Sequence, residues 1–404
     1  MIQLIEISDR LIKSIPTDFT RSLFHDINWD QRLIEIRGAR GVGKTTLMLQ
    51  KAKELRSNNV NVLYISLDFT YFYRNQLFDL VDQFYKYGGK YVFIDEVHKY
   101  PHYASKADWS LEIKNIYDSI PDIRIVYSGS SILQLSKAQG DLSRRKSSYY
   151  LKGLSFREYL LLNKIFVFDK LTLPDILAKH NTISAEITSN IKILPHFENY
   201  LKYGYYPFYS EDPPKYYDKI NEIINVVLET DIPSISDLSF ESTLKLKQLL
   251  AAISSSVPYT PNLSELSSKL YIADQRTLLK YVDFLEKAEL IKTLSSKATG
   301  NKILQKPQKI YLDNTNLMYA IDFGSIQIGT IRETFFYNQT SLIHDVKYPK
   351  SGDFLLDDSI LFEVGGKNKG NRQIRTDSNA YLALDSIESG FSNHIPLWVF
   401  GFLS

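Results

Sequence analysis

Apolar residues along this chain fall first into short runs, each cut off by small or acidic residues, and later into longer stretches with helical spacing. Leu33-Ile34-Glu35-Ile36, Val60 to Asp68 (VNVLYISLD), Tyr91-Val92-Phe93-Ile94 and Ile123-Arg124-Ile125-Val126-Tyr127 have the length and the β-branched and aromatic content of buried strands. Helical patterns alternate with them. That alternation predicts an α/β domain with a parallel sheet, whose ligand sits beyond the carboxyl ends of the strands. From about Leu161 to Ile232 the pattern is helical and rich in aromatic residues, with a break at Tyr203-Gly204-Tyr205-Tyr206-Pro207. Such tyrosines can stack on bases or fill the space between helices, and packing is the simpler reading.

Further along, Thr260-Pro261-Asn262 is a helix-start signal, followed by helical patterns from Leu263 to Leu270 and from Ala273 to Leu290. Leu278, Val282, Leu285 and Leu290 share one face of the second helix. With strands at Leu290 to Leu294 and Ile310 to Leu312, the order predicts a winged helix. Near the end, Gly352-Asp353-Phe354-Leu355-Leu356 and Ile360-Leu361-Phe362-Glu363-Val364 read as a hairpin around Asp357-Asp358-Ser359.

Composition narrows the field. A chain of 404 residues exceeds one ordinary core, and 44% hydrophobic with 23% charged residues describes a folded protein. With no cysteine, disulfides, thiolate metal sites and cysteine nucleophiles are excluded, and any metal must be held by oxygen or imidazole. The first ten residues carry acidic groups where a signal peptide would be basic, and no apolar stretch is long enough to span a bilayer. A cytoplasmic protein with no membrane association is the expectation. The net charge of +2 is too small to imply nucleic-acid binding by the chain as a whole, so that reading must rest on a local patch.

The chemistry begins after the first strand, where Gly38-Ala39-Arg40-Gly41-Val42-Gly43-Lys44-Thr45 leads into the helical stretch Thr46 to Ala52. GxxxxGK[ST] between strand and helix is a phosphate-binding P-loop. Glycines let backbone N–H groups turn toward phosphate oxygens, and the helix N-terminus adds partial positive charge. Gly41, Val42, Gly43, Lys44, Thr45 and Thr46 are thus candidates for holding ATP, with Lys44 on the β- and γ-phosphates and the Thr45 hydroxyl on Mg²⁺. Asp95-Glu96 closes a later strand. Alone, the pair is an ordinary solvated strand end. Joined to a P-loop, Asp95 becomes a second Mg²⁺ group and Glu96 the group that polarises the attacking water, which favours hydrolysis over transfer to a substrate hydroxyl. The strand ending at Ser128-Gly129-Ser130-Ser131 offers hydroxyls to the γ-phosphate. Arg144-Arg145 is either a source of transition-state charge or a basic surface turn.

The order P-loop, YVFIDEVHKYP, WSLEIKNIY, VYSGSS, DLSRR and LSFREYL resembles a large prokaryotic family of AAA-type ATPases, whose ATPase domain is followed by a C-terminal domain distantly similar to PD-(D/E)XK nucleases. The resemblance implies that Lys44 and Thr45 bind phosphate and metal, Asp95 binds metal, Glu96 activates water, Ser128 is a sensor and Arg144 is an arginine finger. Such a finger serves its own subunit or a neighbour's, so a homo-oligomer stays open. The fold class expected is an AAA-type P-loop parallel sheet (1–160), a helical lid (161–235), a winged helix (236–312) and a C-terminal α/β nuclease-like domain (313–404).

Two features bear on what such an ATPase acts upon. Lys292, Lys297, Lys302, Lys306 and Lys309 lie within 290–312 without an acidic residue among them, which suits a wing on DNA or a solvated basic hairpin. The expected recognition helix carries four acidic groups, Asp274, Asp283, Glu286 and Glu289, alongside three basic ones, Arg276, Lys280 and Lys287. In the terminal hairpin Asp353 stands opposite Glu363, and cross-strand Cβ atoms about 4.5–5.5 Å apart allow two carboxylates to share a metal, with Glu333 as a third. The nuclease pattern also wants Glu-x-Lys, yet Gly365 takes the lysine's place. Lys367 comes four residues after Glu363, roughly 13 Å along a straight strand, unless a bulge at Gly365-Gly366 shortens the path. The alternatives to a DNA-acting ATPase are an ATP-gated nuclease and a nucleotide-controlled protein-interaction switch.

Overall fold

The computed structural model describes residues 1–101, 108–130, 142–236, 238–272, 274–296, 306–321, 326–370 and 379–404. They form two compact units. The first is Met1–Gly153 together with Thr230–Asp237, and the second is Leu154–Glu229 with Leu238–Ser404. The regions expected as lid, winged helix and terminal domain thus share one unit, apart from the short segment that belongs to the first.

The first unit is built on five strands, β1 (Leu33–Gly38), β2 (Val62–Ser66), β3 (Tyr91–Asp95), β4 (Arg124–Ser130) and β5 (Ser147–Tyr150). All four pairings are parallel, in the order β2-β3-β4-β1-β5. This is a parallel α/β sheet, as the alternating pattern predicts. Residues such as Leu63, Ile65, Val92, Ile94 and Ile125 are buried in a core shared with the flanking helices Leu77–Lys86 and Trp109–Ser119. Because β4 lies between β1 and β3, the loop leaving β1, the middle of β4 and the end of β3 open onto one edge of the sheet.

One glycine is fixed by contact. A Cβ on Gly38 would stand 2.0 Å from the Leu151 carbonyl oxygen, and the Leu151 amide in turn donates to the Arg37 carbonyl at 2.7 Å. Only the smallest residue permits that approach.

In the second unit the tyrosine-rich region packs inward. Tyr200, Tyr205, Tyr206 and Tyr216 are all buried, and Tyr205 hydroxyl donates to Asp313 at 3.2 Å, so these rings fill the interior. Helices Phe240–Ser254, Leu263–Lys269 and Gln275–Lys287 precede an antiparallel hairpin of β6 (Ile291–Leu294) and β7 (Lys309–Leu312). Asn262 and Asp274 cap the second and third helices with their side-chain oxygens. The expected start of that third helix at Ala273 lies outside the described residues.

A second sheet runs β12-β11-β10-β9-β8, with β8 (Val346–Lys347), β9 (Phe354–Leu356), β10 (Ile360–Gly366), β11 (Ala380–Asp385) and β12 (His394–Pro396). The hairpin β9-β10 forms in the expected register, Phe354 opposite Phe362, and both Asp357 and Asp358 of its loop adopt positive φ. Among the described residues, no helix is long and apolar enough to cross a membrane.

Candidate functional site

The P-loop connects β1 to the helix Lys44–Ser57. Gly41 and Gly43 have φ of 84° and 98°, a left-handed backbone that costs glycine little and turns the loop's amides inward. Val42 is wholly buried, and its carbonyl accepts from Arg21 at 2.8 Å. The same buried guanidinium donates to the carbonyls of Lys152 and Gly153, at 2.7 and 3.0 Å. Arg21 therefore pins the loop to the end of the unit, a role that its isolated position in the sequence does not reveal. Lys44 Nζ donates to the Gly38 and Ala39 carbonyls at 2.9 and 2.8 Å, so the ammonium lies folded over its own loop. Thr45 and Thr46 open the helix at the exposed edge.

Asp95 gathers the rest. This carboxylate is 2% exposed. Its Oδ2 accepts from Thr45 Oγ1 at 2.6 Å and from the Tyr64 hydroxyl at 2.7 Å. Its Oδ1 accepts from Ser128 Oγ and, at 3.1 Å, from the Glu96 amide. The sequence brings Thr45, Asp95 and Ser128 forward as candidates, and the structure joins them around one carboxylate. Tyr64 is an addition. Burial, and then the charge of Asp95, push its phenol far above the ordinary range, so it acts here as a donor.

Glu96 follows with φ of 51°, a left-handed conformation uncommon outside glycine, which carries strain of roughly 1–2 kcal/mol. That backbone turns the side chain out of the strand register, leaving it partly exposed. His98 Nε2 lies 3.3 Å from its Oε2. Ser128 is wholly buried and committed to Asp95 and to the Glu96 amide, which donates to it at 3.2 Å. In this arrangement it holds the carboxylate in place. Ser131 lies outside the described residues. Arg144 is exposed, whereas Arg145 is tied to Asp118 at 3.0 Å.

Residues 30–160 match the family described as AAA domain. The matched stretch holds the P-loop, Asp95, Glu96 and Ser128. A second match, over residues 194–326, is to a domain of unknown function. The chain is 28% identical over 379 residues to an uncharacterized protein of Methanocaldococcus jannaschii, covering 86% of this chain and 78% of that one. Among solved structures it is similar to the Walker-type ATPase of Pyrococcus abyssi, 13% identical with a TM-score of 0.46, covering 77% of this chain and 99% of the other. It is also similar to AMPPCP-bound DnaA from Aquifex aeolicus, 15% identical with a TM-score of 0.26, covering 71% and 89%.

The second unit places its candidates differently from the sequence expectation. Asp353 and Glu363 are adjacent across β9 and β10, as the hairpin predicts, and Asp353 Oδ2 accepts from the Val364 amide at 2.9 Å. The lysine that reaches Glu363 is Lys369, at 2.6 Å, and not Lys367. After Gly366 the chain turns back, and a Cβ on Gly365 would lie 2.6 Å from the Lys369 side chain, so the glycine clears the space that Lys369 fills. Burial and then Asp353 raise the carboxyl of Glu363, while Lys369 pulls the other way. Glu333 is likewise raised by burial and by Asp353, against Lys309 at 3.4 Å and the Tyr311 hydroxyl at 2.6 Å. Among the described residues, no group of three acidic or imidazole side chains is placed to hold a metal ion.

The basic hairpin also departs from expectation. Lys292 donates to Ser341 Oγ at 2.7 Å and lies 5.3 Å from the Tyr337 ring, while Lys309 pairs with Glu333. Neighbouring elements thus turn two of the five lysines inward. Lys306 is exposed, and Lys297 and Lys302 lie outside the described residues.

Proposed function

We propose that the first unit binds MgATP and hydrolyses it, using the turnover as a conformational switch. The observation that carries this reading is the 2.6 Å contact between Thr45 Oγ1 and Asp95 Oδ2, which sets the two expected metal partners side by side at the mouth of the P-loop. Their hydroxyl and carboxylate oxygens suit a hard divalent cation. Bound Mg²⁺ would supply charge neutralisation across the β- and γ-phosphates. Lys44 would leave the Gly38 and Ala39 carbonyls for phosphate oxygens, exchanging neutral acceptors for charged ones. Glu96, held beyond the strand end by its left-handed backbone, would orient the attacking water and take its proton. Arg144, exposed at the surface, fits a finger directed at a neighbouring copy better than one for its own site.

Phosphate release measured on the whole protein tests this. Wild type should turn over ATP only with Mg²⁺, Lys44→Ala should lose nucleotide binding, and Glu96→Gln should retain binding while turnover falls by about a hundredfold, the usual scale for loss of a general base. Undiminished hydrolysis by Glu96→Gln would remove Glu96 from the mechanism.

For the load, nuclease chemistry draws less support: Lys369 does bring a lysine to Glu363, but among the described residues Asp353, Glu363 and Glu333 do not come together as a metal-holding group. Action on DNA draws less support than the five-lysine count suggests, since Lys292 and Lys309 are committed internally. Turnover with and without duplex or single-stranded DNA at low salt decides that point, as electrostatic binding is strongest there.

A further inference from the structure

The segment Thr230–Asp237 belongs to the first unit, although the chain enters it from Glu229 and leaves it at Leu238, both in the second. It begins in the π-helical turn Val227–Asp231, a geometry rare enough to mark functional positions. The side chain of Asp231 is fully buried and surrounded by basic groups of the nucleotide domain. Lys99 Nζ lies at 3.0 Å, Arg40 of the P-loop at 3.4 Å, and His98 Nε2 at 3.7 Å. That histidine nitrogen is also the atom 3.3 Å from Glu96 Oε2. One imidazole nitrogen therefore stands between two carboxylates, and neither contact has good hydrogen-bond geometry.

We propose that His98 is a latch on Glu96 and that Asp231 is a positioning residue that decides where the latch rests. This rests on the reading of Glu96 as the water-polarising group. With the proton on Nε2, the imidazole can donate to Glu96, which draws the carboxylate away from water, or to Asp231, which releases it. Lys99 and Arg40 keep Asp231 ionised inside the protein, so it remains a competent acceptor. Burial alone would raise its carboxyl, but His98 and Lys99 outweigh that and bring it down to about 2. Because the segment is continuous with the second unit at both ends, a displacement there has a covalent route to the latch.

The test is ATP turnover on the full chain, with nucleotide affinity measured separately by titration of a fluorescent ATP analogue and folding by thermal melt. Asp231→Asn should lower kcat at least tenfold with affinity within twofold of wild type, because the latch falls to Glu96. His98→Ala should raise kcat twofold or more, and in the Asp231→Asn background it should restore most of the lost rate. A purely structural Asp231 would not be rescued by removing a second side chain. The proposal is overturned if Asp231→Asn turns over at the wild-type rate, or if the double variant is no faster than the single. Should Asp231→Asn fail to fold, His98→Ala decides alone, and a fall in its kcat overturns the latch. Absence of hydrolysis by wild type would instead remove the ATPase reading.

Discussion

Replacing Tyr64 by Phe removes one oxygen and leaves the ring in its buried place on β2. The lost interaction is the 2.7 Å donation to Asp95 Oδ2. A hydrogen bond to a charged group contributes about 1.5–3 kcal/mol, and the lower end applies because Asp95 keeps Thr45, Ser128 and the Glu96 amide as donors. For a unit of this size a loss of about 1.5 kcal/mol lowers Tm by roughly 3–6 °C. Circular-dichroism melts of wild type and Tyr64→Phe without nucleotide measure it. The same substitution loosens the carboxylate on the side it shares with Thr45, so kcat with MgATP should fall by about three- to tenfold, the equivalent of roughly 0.7–1.4 kcal/mol. A Tm within about 1 °C of wild type would show that the hydroxyl is replaced at no cost by water, and the account of Asp95 as a carboxylate satisfied by protein donors would fail.

The remaining expectations are more local. Gly38→Ala places a Cβ 2.0 Å from the Leu151 oxygen, which neither backbone can absorb without moving, so a loss of about 2–3 kcal/mol is expected, read as a lower urea midpoint; an unchanged midpoint would mean the two chains separate freely. Lys369→Met leaves the fully buried Glu363 without its cation; since Lys369 is itself partly exposed, the cost is taken as roughly 1–3 kcal/mol. A carboxyl whose folded pKa is raised loses stability as pH climbs above its unfolded value, so this variant should be weaker at pH 8 than at pH 5, and Glu363→Gln should remove the difference. Asp231 has the opposite sign: lowered from 3.8 to about 2, it contributes about 2 kcal/mol that is present above pH 4 and lost as pH falls through 2. Acid titration of Asp231→Asn should show a shallower loss of stability over that window.

What could be read from the sequence was what is local. The P-loop, the strand ending at Asp95 and the hairpin around Asp357-Asp358 each declare themselves within about ten residues, because glycine placement and strand length are properties of neighbouring positions. Tyr64 did not, since an aromatic residue in VLYIS looks like core and its hydroxyl finds Asp95 only across the sheet. Arg21 and Asp231 reach their partners from far along the chain, and no periodicity connects them to the P-loop. Lys369 was hidden by a backbone reversal after Gly366, where distance along a straight strand is the wrong measure. The lysine hairpin misled for the converse reason: absence of acidic residues between 290 and 312 says nothing of Glu333 and Ser341 on other elements.

The number of donors on Asp95 has a consequence for how the site can work. A buried carboxylate left short of hydrogen bonds costs several kcal/mol, so a site that released its only donor to a metal would trade stability for binding. Here Thr45 can turn away while Tyr64, Ser128 and the Glu96 amide still hold both carboxylate oxygens. Lys44 rests on the Gly38 and Ala39 carbonyls, neutral acceptors that hold an ammonium less strongly than charged phosphate oxygens. Thr45 is thus the donor whose departure the carboxylate tolerates, and Tyr64, silent in the sequence, is what makes it free to go.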